Sequence, residues 1–401
     1  MLNQGQTQAK SLFKQFLFDD KQKYFCIDSA AGMGKSFLLN HLHDEMVDMN
    51  KQLKFMGKGA FREMIFTATT NKASSVLNNA QTIHKLLGLR VYDNYKTGKS
   101  SVKTSSKTMN IGNSIIVVDE ASMIPPEIRA IIDQYTQGSK VVFVGDSYQL
   151  APVNYSAPIV FNQGYPTALL DEPMRQDSSS HLYQGCLQLR EGVKGQFFNN
   201  VTQGEGIRFV NGDTFKKEIL QAFENQEDAR VLAYTNKMVE NLNGFVRKNL
   251  HNTTDFRVGD PVIAASACEG KTKIEETYHI RTMSEPYDDG VMMVRSIELD
   301  HSNEQFKIPV DKQAYFRMVK SAKAEAKQDG DWVYYFSLIN AYLDIRDGFA
   351  CTINKSQGST YDKVFLDFSN VSVCRDLNTL LRLLYVAVSR AKSEVVVYGM
   401  E

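Results

Sequence analysis

The feature that most constrains the fold is a glycine-rich segment joining a predicted strand to a predicted helix. The apolar run Tyr24–Ile27 predicts the strand, and Phe37 lies in a segment of helical character. Between them the chain reads Ser29-Ala-Ala-Gly32-Met-Gly34-Lys35-Ser36. The N–H groups of such a loop and the helix dipole bind phosphate, while the lysine reaches the β- and γ-phosphates and the serine hydroxyl holds Mg²⁺. The sequence therefore predicts a P-loop that binds a nucleoside triphosphate.

The loop departs from the usual pattern at its first position, where Ser29 stands in place of glycine. A serine there is expected to restrict the turn slightly. The competing interpretation is a chance Gly-Lys-Ser sequence at the start of a helix, and the later motifs decide between the two. The predicted nucleotide-binding residues of this loop are Ala31, Gly32, Met33, Gly34, Lys35 and Ser36.

A second apolar run, Ile115–Val118, ends in the acids Asp119 and Glu120. Four consecutive apolar residues predict a strand buried on both faces of a parallel sheet. Carboxylates at its carboxyl end lie where open α/β sheets bind ligands. Asp119 would hold Mg²⁺ through its water shell, and Glu120 would act as general base on the attacking water. A strand that ends in solvated acids is the alternative, and the preceding P-loop makes it the weaker one.

A third predicted strand, Lys140–Val144, leads into Gly145-Asp-Ser-Tyr-Gln149. The glycine permits close approach of the backbone to its neighbours. The Gln149 amide can contact the γ-phosphate or the attacking water. An ordinary strand and turn explains this segment equally well when it is taken alone.

The order of these segments resembles that of superfamily 1 helicases, whose motifs continue with Asp-Glu-x-Ser and Gly-Asp-x-x-Gln-x-x-Pro. Two later segments resemble that superfamily's motif V and its last motif, namely Thr352–Ser359 and Leu384–Lys392. The similarity is greatest to the RecD-like 5′-to-3′ branch with the phage Dda-type helicases. It runs from Gln6 to Val396 and is weakest between about Asp255 and Asp344. The resemblance implies an ATP-dependent DNA helicase; the polarity is implied by it alone.

The resemblance also implies further residues at the nucleotide. Arg390, from the second RecA-like domain, and Arg175 would neutralise charge on the γ-phosphate during hydrolysis. An exposed arginine that pairs with Glu172 is the alternative for Arg175. Gln6 stands where the family contacts adenine, and a solvated glutamine at a helix start is its alternative. Gln357 and Gly358 of the motif V segment complete the predicted nucleotide-binding set.

The DNA contacts implied by the resemblance lie in four short segments. His84 alone would be typical of a helix histidine with a local partner, but the surrounding Thr-Ile-His sequence favours a DNA contact. The predicted DNA-binding residues of these segments are Thr69, Thr70, Asn71, Thr82, His84, Thr235, Asn236, Thr352, Asn354 and Lys355.

A basic segment with a turn signal at Lys96–Lys99 lies between the DNA-contact segment that contains His84 and the strand that ends at Asp119. In Dda-like enzymes this position holds a hairpin pin that splits the duplex. Tyr92 and Tyr95 could stack on bases, and the lysines could meet phosphates. A solvated hairpin or loop without a wedge role is the alternative.

The predicted fold class is α/β, with two RecA-like P-loop NTPase domains, an inserted pin subdomain and an inserted small β-barrel subdomain. Short β runs near residues 256–265 and 289–297 suggest the barrel. The aromatic cluster Trp332–Phe336 could form an arm over the DNA or a plain helix-packing core. No internal repeat is evident. The predicted boundaries are 1–85 and 108–176 for domain 1A, 86–107 for the pin (1B), 177–254 and 346–401 for domain 2A, and 255–345 for the barrel with its helical arm (2B).

Composition sets broader limits. The 401 residues have a formal net charge of zero, whereas nucleic-acid binders often carry a basic excess. The five cysteines form no C-x-x-C pair, so we expect no zinc site and a reducing compartment. With no signal-peptide core and no apolar run of about 18 residues, we expect no membrane span. We expect a monomer in the cytoplasm, that of the host cell if a phage encodes it, acting in DNA replication.

The expected cofactors are ATP and Mg²⁺, and the expected partners are single-stranded and forked duplex DNA, with a single-strand-binding protein or other replication proteins as candidates. Three alternatives stay open at this point. The first is a P-loop ATPase that translocates on or remodels nucleic acid without unwinding it. The second is a P-loop nucleotide kinase, which does not explain the late Ser389-Arg390-Ala-Lys392 segment. The third is a non-enzymatic DNA-binding module, which would not need Lys35 or Glu120.

Overall fold

The computed structural model describes residues 2–30, 32–70, 74, 80–94, 99–104, 110–152, 155, 157–172, 180–198, 201–253, 255–265, 272, 276–300, 302 and 304–400, with the backbone alone at 91–94 and 99–101. The chain forms two compact units. The first comprises Met1–Leu87, Lys107–Leu242 and Ala350–Glu401, and the second comprises Gly88–Ser106 and Asn243–Phe349. The predicted division into four domains is a finer one and stays a prediction.

The strands of the described residues, numbered in chain order, are β1 Tyr24–Ser29, β2 Met64–Ala68, β3 Gln81–Thr82, β4 Leu89–Asn94, β5 Lys99–Thr104, β6 Ile115–Asp119, β7 Lys140–Gly145, β8 Thr167–Leu170, β9 Ile207–Val210, β10 Ala229–Ala233, β11 Pro261–Ala264, β12 Thr277–Met283, β13 Tyr287–Asp288, β14 Met293–Leu299, β15 Gln305–Pro309, β16 Ile345–Asp347, β17 Ala350–Thr352, β18 Tyr361–Asp367 and β19 Ala391–Tyr398.

The helices are numbered in the same way: α1 Gln4–Phe18, α2 Lys35–Asp44, α3 Met46–Phe55, α4 Ile83–Leu86, α5 Pro126–Tyr135, α6 His181–Gly195, α7 Gly212–Glu224, α8 Asn236–His251, α9 Lys312–Asp329, α10 Val333–Ala341, α11 Phe368–Val371 and α12 Leu377–Ser389. Short 3₁₀ turns follow β6 at Ala121–Met123 and β17 at Ile353–Ser356.

The first sheet contains the strands predicted around the P-loop. Its order is β3-β2-β6-β7-β1-β8, and every pair is parallel. The central strands β6 and β7 are buried along their whole length, which explains their uninterrupted apolar sequence. Helix α1 packs its aromatic side chains on β1, with the Phe16 and Phe25 rings stacked at 5.2 Å. The carboxyl ends of these strands carry the P-loop and the two acids.

Lys140, at the start of β7, holds the end of α1 in place. Its side chain is buried, and Nζ donates to the carbonyl oxygens of Phe16, Asp19 and Gln22 at 2.8, 2.8 and 2.6 Å. The ammonium group therefore satisfies carbonyls that the helix end leaves without intrahelical donors.

The second sheet has the order β17-β10-β18-β19-β9 and is also entirely parallel. Helix α12 covers it with a run of buried residues from Leu381 to Val388, and the inner face of α6 contributes Leu182 and Leu189 to the same core. Two parallel sheets with helices packed on them confirm the α/β class and fit the two expected RecA-like domains.

The second unit is antiparallel. Strands β4 and β5 pair from Leu89↔Thr104 to Asn94↔Lys99, and the other strands form a sheet ordered β13-β14-β12-β11-β16, with β15 beside β14. A hairpin therefore occupies the segment predicted to be a pin, and antiparallel strands occupy the segment predicted to be a barrel. The wedge role of the first and the barrel closure of the second stay predictions.

A buried arginine joins the start and the end of the inserted chain segment. Arg247 in α8 donates to the Asp347 carboxylate at 2.8 and 2.5 Å and to the Asp260 carboxylate at 2.8 Å. All three side chains are nearly inaccessible. Because Asp260 precedes β11 and Asp347 ends β16, this cluster closes the insertion at its base.

The aromatic cluster at 332–336 forms a packing core in part. Trp332 and Phe336 are buried with Ala326 between α9 and α10, whereas Tyr334 is half exposed. The packing interpretation therefore accounts for Trp332 and Phe336, and a DNA role for the rest of the arm stays a prediction.

Candidate nucleotide site and nucleic-acid grips

The P-loop has the shape its sequence predicts. Gly32 and Gly34 have positive φ angles of 83° and 78°, which glycine adopts without strain, and Gly34 is the N-cap of α2. Lys35 Nζ donates to the carbonyl oxygens of Ser29 and Ala30 at 3.1 and 3.3 Å, so the ammonium lies inside the curve of the loop. The expected restriction by Ser29 is wrong, because this residue is the last of β1 and not part of the turn.

Gln6 is buried, so the alternative of a solvated glutamine is wrong. Its backbone N–H donates to the Asn3 side chain at 2.8 Å, and its own side-chain oxygen accepts from the Asn3 N–H at 3.2 Å, a reciprocal cap of α1. The amide nitrogen of Gln6 donates to the Gly34 carbonyl at 3.4 Å. Helix α1 is thereby attached to the P-loop.

The two acids after β6 have different environments. Asp119 is buried, and burial together with the neighbouring Glu120 charge raises its pKa to about 6, against the opposing effect of Lys35. Its carboxylate accepts from the Glu120 N–H at 2.8 Å. Glu120 is partly exposed and has a left-handed backbone, with φ 52° and ψ 39°. Left-handed backbone at a non-glycine residue costs about 1–2 kcal/mol, so neighbouring contacts must hold this conformation.

Thr69, just beyond β2, supplies those contacts. Its N–H donates to the Asp119 carbonyl at 3.3 Å, and its hydroxyl donates to the Glu120 carbonyl at 3.2 Å. A residue predicted to grip DNA is therefore bonded to the backbone of the predicted general base.

Gly145 ends β7 against the turn that follows the acids. A Cβ atom there would lie 3.2 Å from the Ala121 nitrogen and 3.3 Å from the Ser122 nitrogen, closer than side chains ordinarily come. The predicted close approach of the backbone at Gly145 is confirmed.

The loop after Gly145 is held by α12. The fully buried Asp146 carboxylate accepts from the Tyr385 hydroxyl at 2.6 Å and from the Tyr148 N–H at 3.0 Å. Arg382 donates to the carbonyls of Ser147 and Gln149 at 2.8 and 2.6 Å. The segment after the third strand is therefore more than an ordinary turn, because two side chains from the second sheet's helix fix it.

On the P-loop side, the same loop is held by Asp28, which precedes Ser29. The Asp28 carboxylate accepts from the Ser147 hydroxyl at 2.6 Å and from its N–H at 3.0 Å, and burial raises the Asp28 pKa. Gln149 is buried, and within the described part of the chain its side-chain oxygen has no hydrogen-bond partner. An unsatisfied buried amide is costly, which fits a group that awaits a ligand.

A cavity of about 330 Å³ lies beside the P-loop. One wall is formed by Ala30, Gly32 and Met33, and the facing wall includes Tyr183 and Arg190 of α6 and Ser389 of α12. The P-loop and helices packed on the second sheet therefore enclose one space, at the position where the sequence predicts ATP.

The cavity lining includes Ser389 and Ala391, the chain neighbours of Arg390, and Thr360, which follows Gly358 by two residues. The buried Arg390 guanidinium donates to the Ser389 hydroxyl at 3.0 Å and to the Ser359 carbonyl at 3.3 Å, so its own domain satisfies it here, and its phosphate role stays a prediction. Gln357 is buried, and neither its amide nitrogen nor its amide oxygen has a partner in the described chain. Gly358 follows with a φ of 73°.

The predicted DNA-contact threonines occur at equivalent places in the two parallel sheets. Thr82 pairs in register with Ala68 of β2, and Thr352 pairs in register with Ala233 of β10. Both are N-caps with nearly the same backbone, φ −72° and ψ 148° for Thr82 and φ −72° and ψ 150° for Thr352. Each accepts a hydrogen bond from the lysine N–H three residues on.

The sequence carries this correspondence as short matches, although no internal repeat of greater length is evident. Thr-Ile-x-Lys occurs at 82–85 and at 352–355, and Thr-Asn-Lys occurs at 70–72 and at 235–237, each two residues after the alanine that pairs with the threonine cap. These matches are easily overlooked because each is only three or four residues long. In addition, the number of residues between the Thr-Asn-Lys segment and the Thr-Ile-x-Lys segment differs between the two sheets.

The remaining predicted DNA residues are placed as follows. Asn370 of α11 fixes Thr235 by accepting from its N–H at 3.0 Å, and sequence reasoning missed this asparagine. Asn236 is exposed, burial lowers the pKa of the half-buried His84, and Tyr92 is known through the backbone of β4 alone. Partly buried positions are occupied by Thr70, Asn354 and Lys355, whereas Ala31, Asn71, Tyr95 and Arg175 lie outside the described residues.

Ser36 and Asp119 would offer a hydroxyl and a carboxylate oxygen, the hard donors that Mg²⁺ prefers. Among the described residues no group of three or more His, Cys, Asp or Glu side chains could hold a metal ion. Within the same described part of the chain, no helix combines the length and apolarity needed to cross a bilayer.

Comparison with known proteins adds family relationships. Residues 1–212 match the family described as AAA domain, and residues 347–398 match the UvrD-like helicase C-terminal domain. The chain is 23% identical to the uncharacterized protein R530 of Acanthamoeba polyphaga mimivirus, over 98% of this chain and 99% of that protein. It is 22% identical to the ATP-dependent DNA helicase dda of Enterobacteria phage T4, over 98% of each. A solved structure of two coordinating Pif1 helicases at forked duplex DNA shares the fold, with a TM-score of 0.55, 16% identity and coverage of 100% of this chain and 92% of that one.

Proposed function

This chain belongs to the AAA domain family, and we propose that it is an ATP-dependent DNA helicase that moves 5′ to 3′ along single strands and separates forked duplexes. The observation that carries the proposal is the threonine cap repeated in both parallel sheets. Helices packed on the second sheet also line the P-loop cavity. The relatedness to the phage T4 helicase over nearly the whole of both chains supports the same conclusion.

The chemistry we propose is hydrolysis of the terminal phosphate of ATP. Glu120 would take a proton from the attacking water, whose oxygen bonds to the γ-phosphorus as the bond to the bridging oxygen of ADP breaks. Ser36 and Asp119 would hold Mg²⁺, which supplies charge neutralisation when bound. Lys35 would leave the two loop carbonyls to contact the phosphates, and the unsatisfied amides of Gln149 and Gln357 would accept or donate at the same site.

Movement along DNA follows from having two equivalent grips. N–H groups at helix starts and threonine hydroxyls are suited to contact a phosphate backbone. If ATP binding draws the two sheets together and hydrolysis releases them, the caps at Thr82 and Thr352 would hold the strand alternately. Arg382 and Tyr385 join the loop of Gln149 to the second domain, and they would transmit this change between the domains.

We further propose that the β4–β5 hairpin is the pin and that the inserted antiparallel sheet is a small barrel that supports it. The hairpin falls between α4 and β6, as in Dda-like enzymes, and it belongs to the same compact unit as the insertion. The four-domain boundaries, the monomeric state, and action on single-stranded and forked DNA belong to this proposal. The arginines Arg175 and Arg390 would complete the nucleotide site in the closed state.

A DNA-dependent ATPase assay tests the function. Single-stranded DNA should stimulate wild-type hydrolysis strongly. Lys35→Ala should abolish turnover, and Glu120→Gln should keep binding ATP and DNA while hydrolysis stops. Lys54→Ala, which removes a lysine from the exposed face of α3, is the control for loss of charge and should match the wild type.

Two results would contradict the proposal. Hydrolysis by Glu120→Gln at the wild-type rate would refute the general-base assignment. Stimulation by a small-molecule phosphate acceptor in place of DNA would favour a nucleotide kinase. A hairpin with its turn shortened separates helicase from translocase, because it should lose unwinding while keeping DNA-stimulated hydrolysis.

A further inference from the structure

Arg190 is a positively charged side chain on the cavity wall that faces the P-loop. Helix α6 starts at a Ser180 cap and presents Tyr183, Cys186, Leu187 and Arg190 to this cavity, at the i, i+3, i+4 and i+7 spacing of one helix face. The opposite wall is the P-loop itself. Because α6 packs its other face into the core of the second sheet, Arg190 reaches the nucleotide cavity from the second domain.

The guanidinium of Arg190 is poorly satisfied where it lies. It stacks over the Tyr148 ring at 4.6 Å, and its Nε lies 3.8 Å from the Asp146 carboxylate, too far for a hydrogen bond. Within the described part of the chain, that buried Nε has no hydrogen-bond partner. Asp146, in contrast, is already bonded to Tyr385 and to the Tyr148 N–H. Asp146 thus attracts Arg190 electrostatically but leaves its donors available.

We infer that Arg190 is a γ-phosphate sensor: its guanidinium leaves the loose ion pair with Asp146 and binds the terminal phosphate of ATP across the cavity. This inference rests on the proposed function and adds a residue that the sequence motifs do not include. Arginine and phosphate form bidentate charge-assisted hydrogen bonds, which are stronger than an ion pair at 3.8 Å. Arg390, in contrast, already donates to Ser359 and Ser389.

The exchange has a consequence for the loop that carries Gln149. Asp146 begins that loop, and its other oxygen binds Tyr385 on α12. When Arg190 moves to the phosphate, Asp146 loses its ion pair with this arginine. Binding of the third phosphate would therefore change the contacts of the loop and of the second domain together.

Nucleotide affinity separates this role from a structural one. For Arg190→Gln, we expect the Kd of a non-hydrolysable ATP analogue to rise about 10- to 100-fold, the loss of a charge-assisted hydrogen bond, while the Kd of ADP changes less than about twofold. Displacement of a fluorescent ADP derivative measures both values on the full chain. Lys194→Gln removes a positive charge one turn further along α6, on an exposed side chain, and should change neither Kd.

Arg190→Lys provides a second test that keeps the charge but loses the planar fork. Arg190→Lys should raise the Kd of the ATP analogue less than Arg190→Gln does, and it should again leave the Kd of ADP nearly unchanged. Its melting temperature should equal that of the wild type. Equal weakening of both nucleotides, or no change in either, in a folded Arg190 variant would overturn the inference. Failure of the wild type to bind either nucleotide, or full binding by Lys35→Ala, would instead overturn the proposed function.

Discussion

The hydrogen bond between Thr69 and Glu120 predicts that one hydroxyl on the DNA side of the first sheet controls the rate of ATP hydrolysis. Thr69→Val removes the hydroxyl that donates to the Glu120 carbonyl at 3.2 Å and keeps the shape of the side chain. Without it, less holds Glu120 in its left-handed conformation. We expect the general base to spend part of its time in relaxed conformations that do not reach the attacking water.

The size of the effect follows from two comparable energies. A neutral hydrogen bond contributes about 0.5–1.5 kcal/mol net, and the left-handed backbone costs about 1–2 kcal/mol. Since 1.36 kcal/mol is tenfold in rate, losing the bond should lower kcat at saturating DNA by about two- to twelvefold. The KM for ATP should change much less, because the P-loop contacts stay in place.

Thr67→Val is a matched control. Thr67 lies two residues earlier in β2, and its hydroxyl makes the same kind of bond, to the Val117 carbonyl of β6 at 2.8 Å. Its loss removes an equivalent contact between the same strands without touching Glu120. Steady-state ATPase at saturating single-stranded DNA should therefore fall for Thr69→Val and stay within about twofold of wild type for Thr67→Val. Thr69→Ser should retain the wild-type rate.

Equal losses in the two valine variants would show that the sheet, and not the base, senses the hydroxyl. A Thr69→Val enzyme with wild-type kcat and weakened DNA affinity would also contradict this role of the hydroxyl, because Thr69 would then act through the DNA alone.

Three other contacts give predictions. Burial raises the pKa of Asp119 to about 6, so protons should displace Mg²⁺ from its carboxylate below that pH. The Mg²⁺ concentration for half-maximal ATPase should therefore rise about fivefold from pH 6 to pH 5 and be flat above pH 7, and a pH-independent requirement would contradict this. Lys140→Met should lower the melting temperature measured by calorimetry, because three carbonyls lose their donor at a net cost of about 2 kcal/mol. An unchanged melting temperature would show that water replaces the lysine. Arg247→Met leaves two buried carboxylates without their cation, which should destabilise the fold by about 3–5 kcal/mol. Hydrogen exchange should therefore accelerate in β11 and β16 but not in β2. Unchanged protection of all three strands would refute the closing role of Arg247.

Local sequence patterns predicted the strands of the nucleotide site well. The runs at Tyr24, Ile115 and Lys140 became β1, β6 and β7, because a strand buried on both faces must be apolar throughout. The glycine positions followed from backbone geometry in the same way, at Gly34 for its positive φ and at Gly145 for its close contact.

Contacts between distant segments were not predictable from those patterns. Asp146 and Tyr385 are 239 positions apart, and neither lies in a sequence context that indicates a partner. The same holds for Arg190, which looks like an ordinary charged residue of an amphipathic helix until α6 is seen to face the P-loop. Buried polar networks of this kind depend on the packing of two sheets, and a single sequence contains no local signal for it.

The position of α1 shows the intermediate case. For Gln6 the sequence left an adenine contact and a solvated helix start as alternatives, and neither includes the bond to the Gly34 carbonyl. Burial of Gln6 depends on the docking of the whole helix, which Lys140 fixes from another strand. Only the tertiary structure excludes the solvated glutamine, and the adenine contact of Gln6 stays a prediction.

Strand release from a forked duplex is the decisive test of helicase activity in this protein. A fluorescently labelled fork with a 5′ single-stranded tail is mixed with enzyme and ATP, and a fork with a 3′ tail, Glu120→Gln enzyme and ATP-free mixtures serve as comparisons. We expect rapid, ATP-dependent release from the 5′-tailed fork and none from the 3′-tailed fork or with Glu120→Gln. Strong DNA-stimulated hydrolysis without release from either fork would contradict this expectation and leave a translocating ATPase that does not unwind.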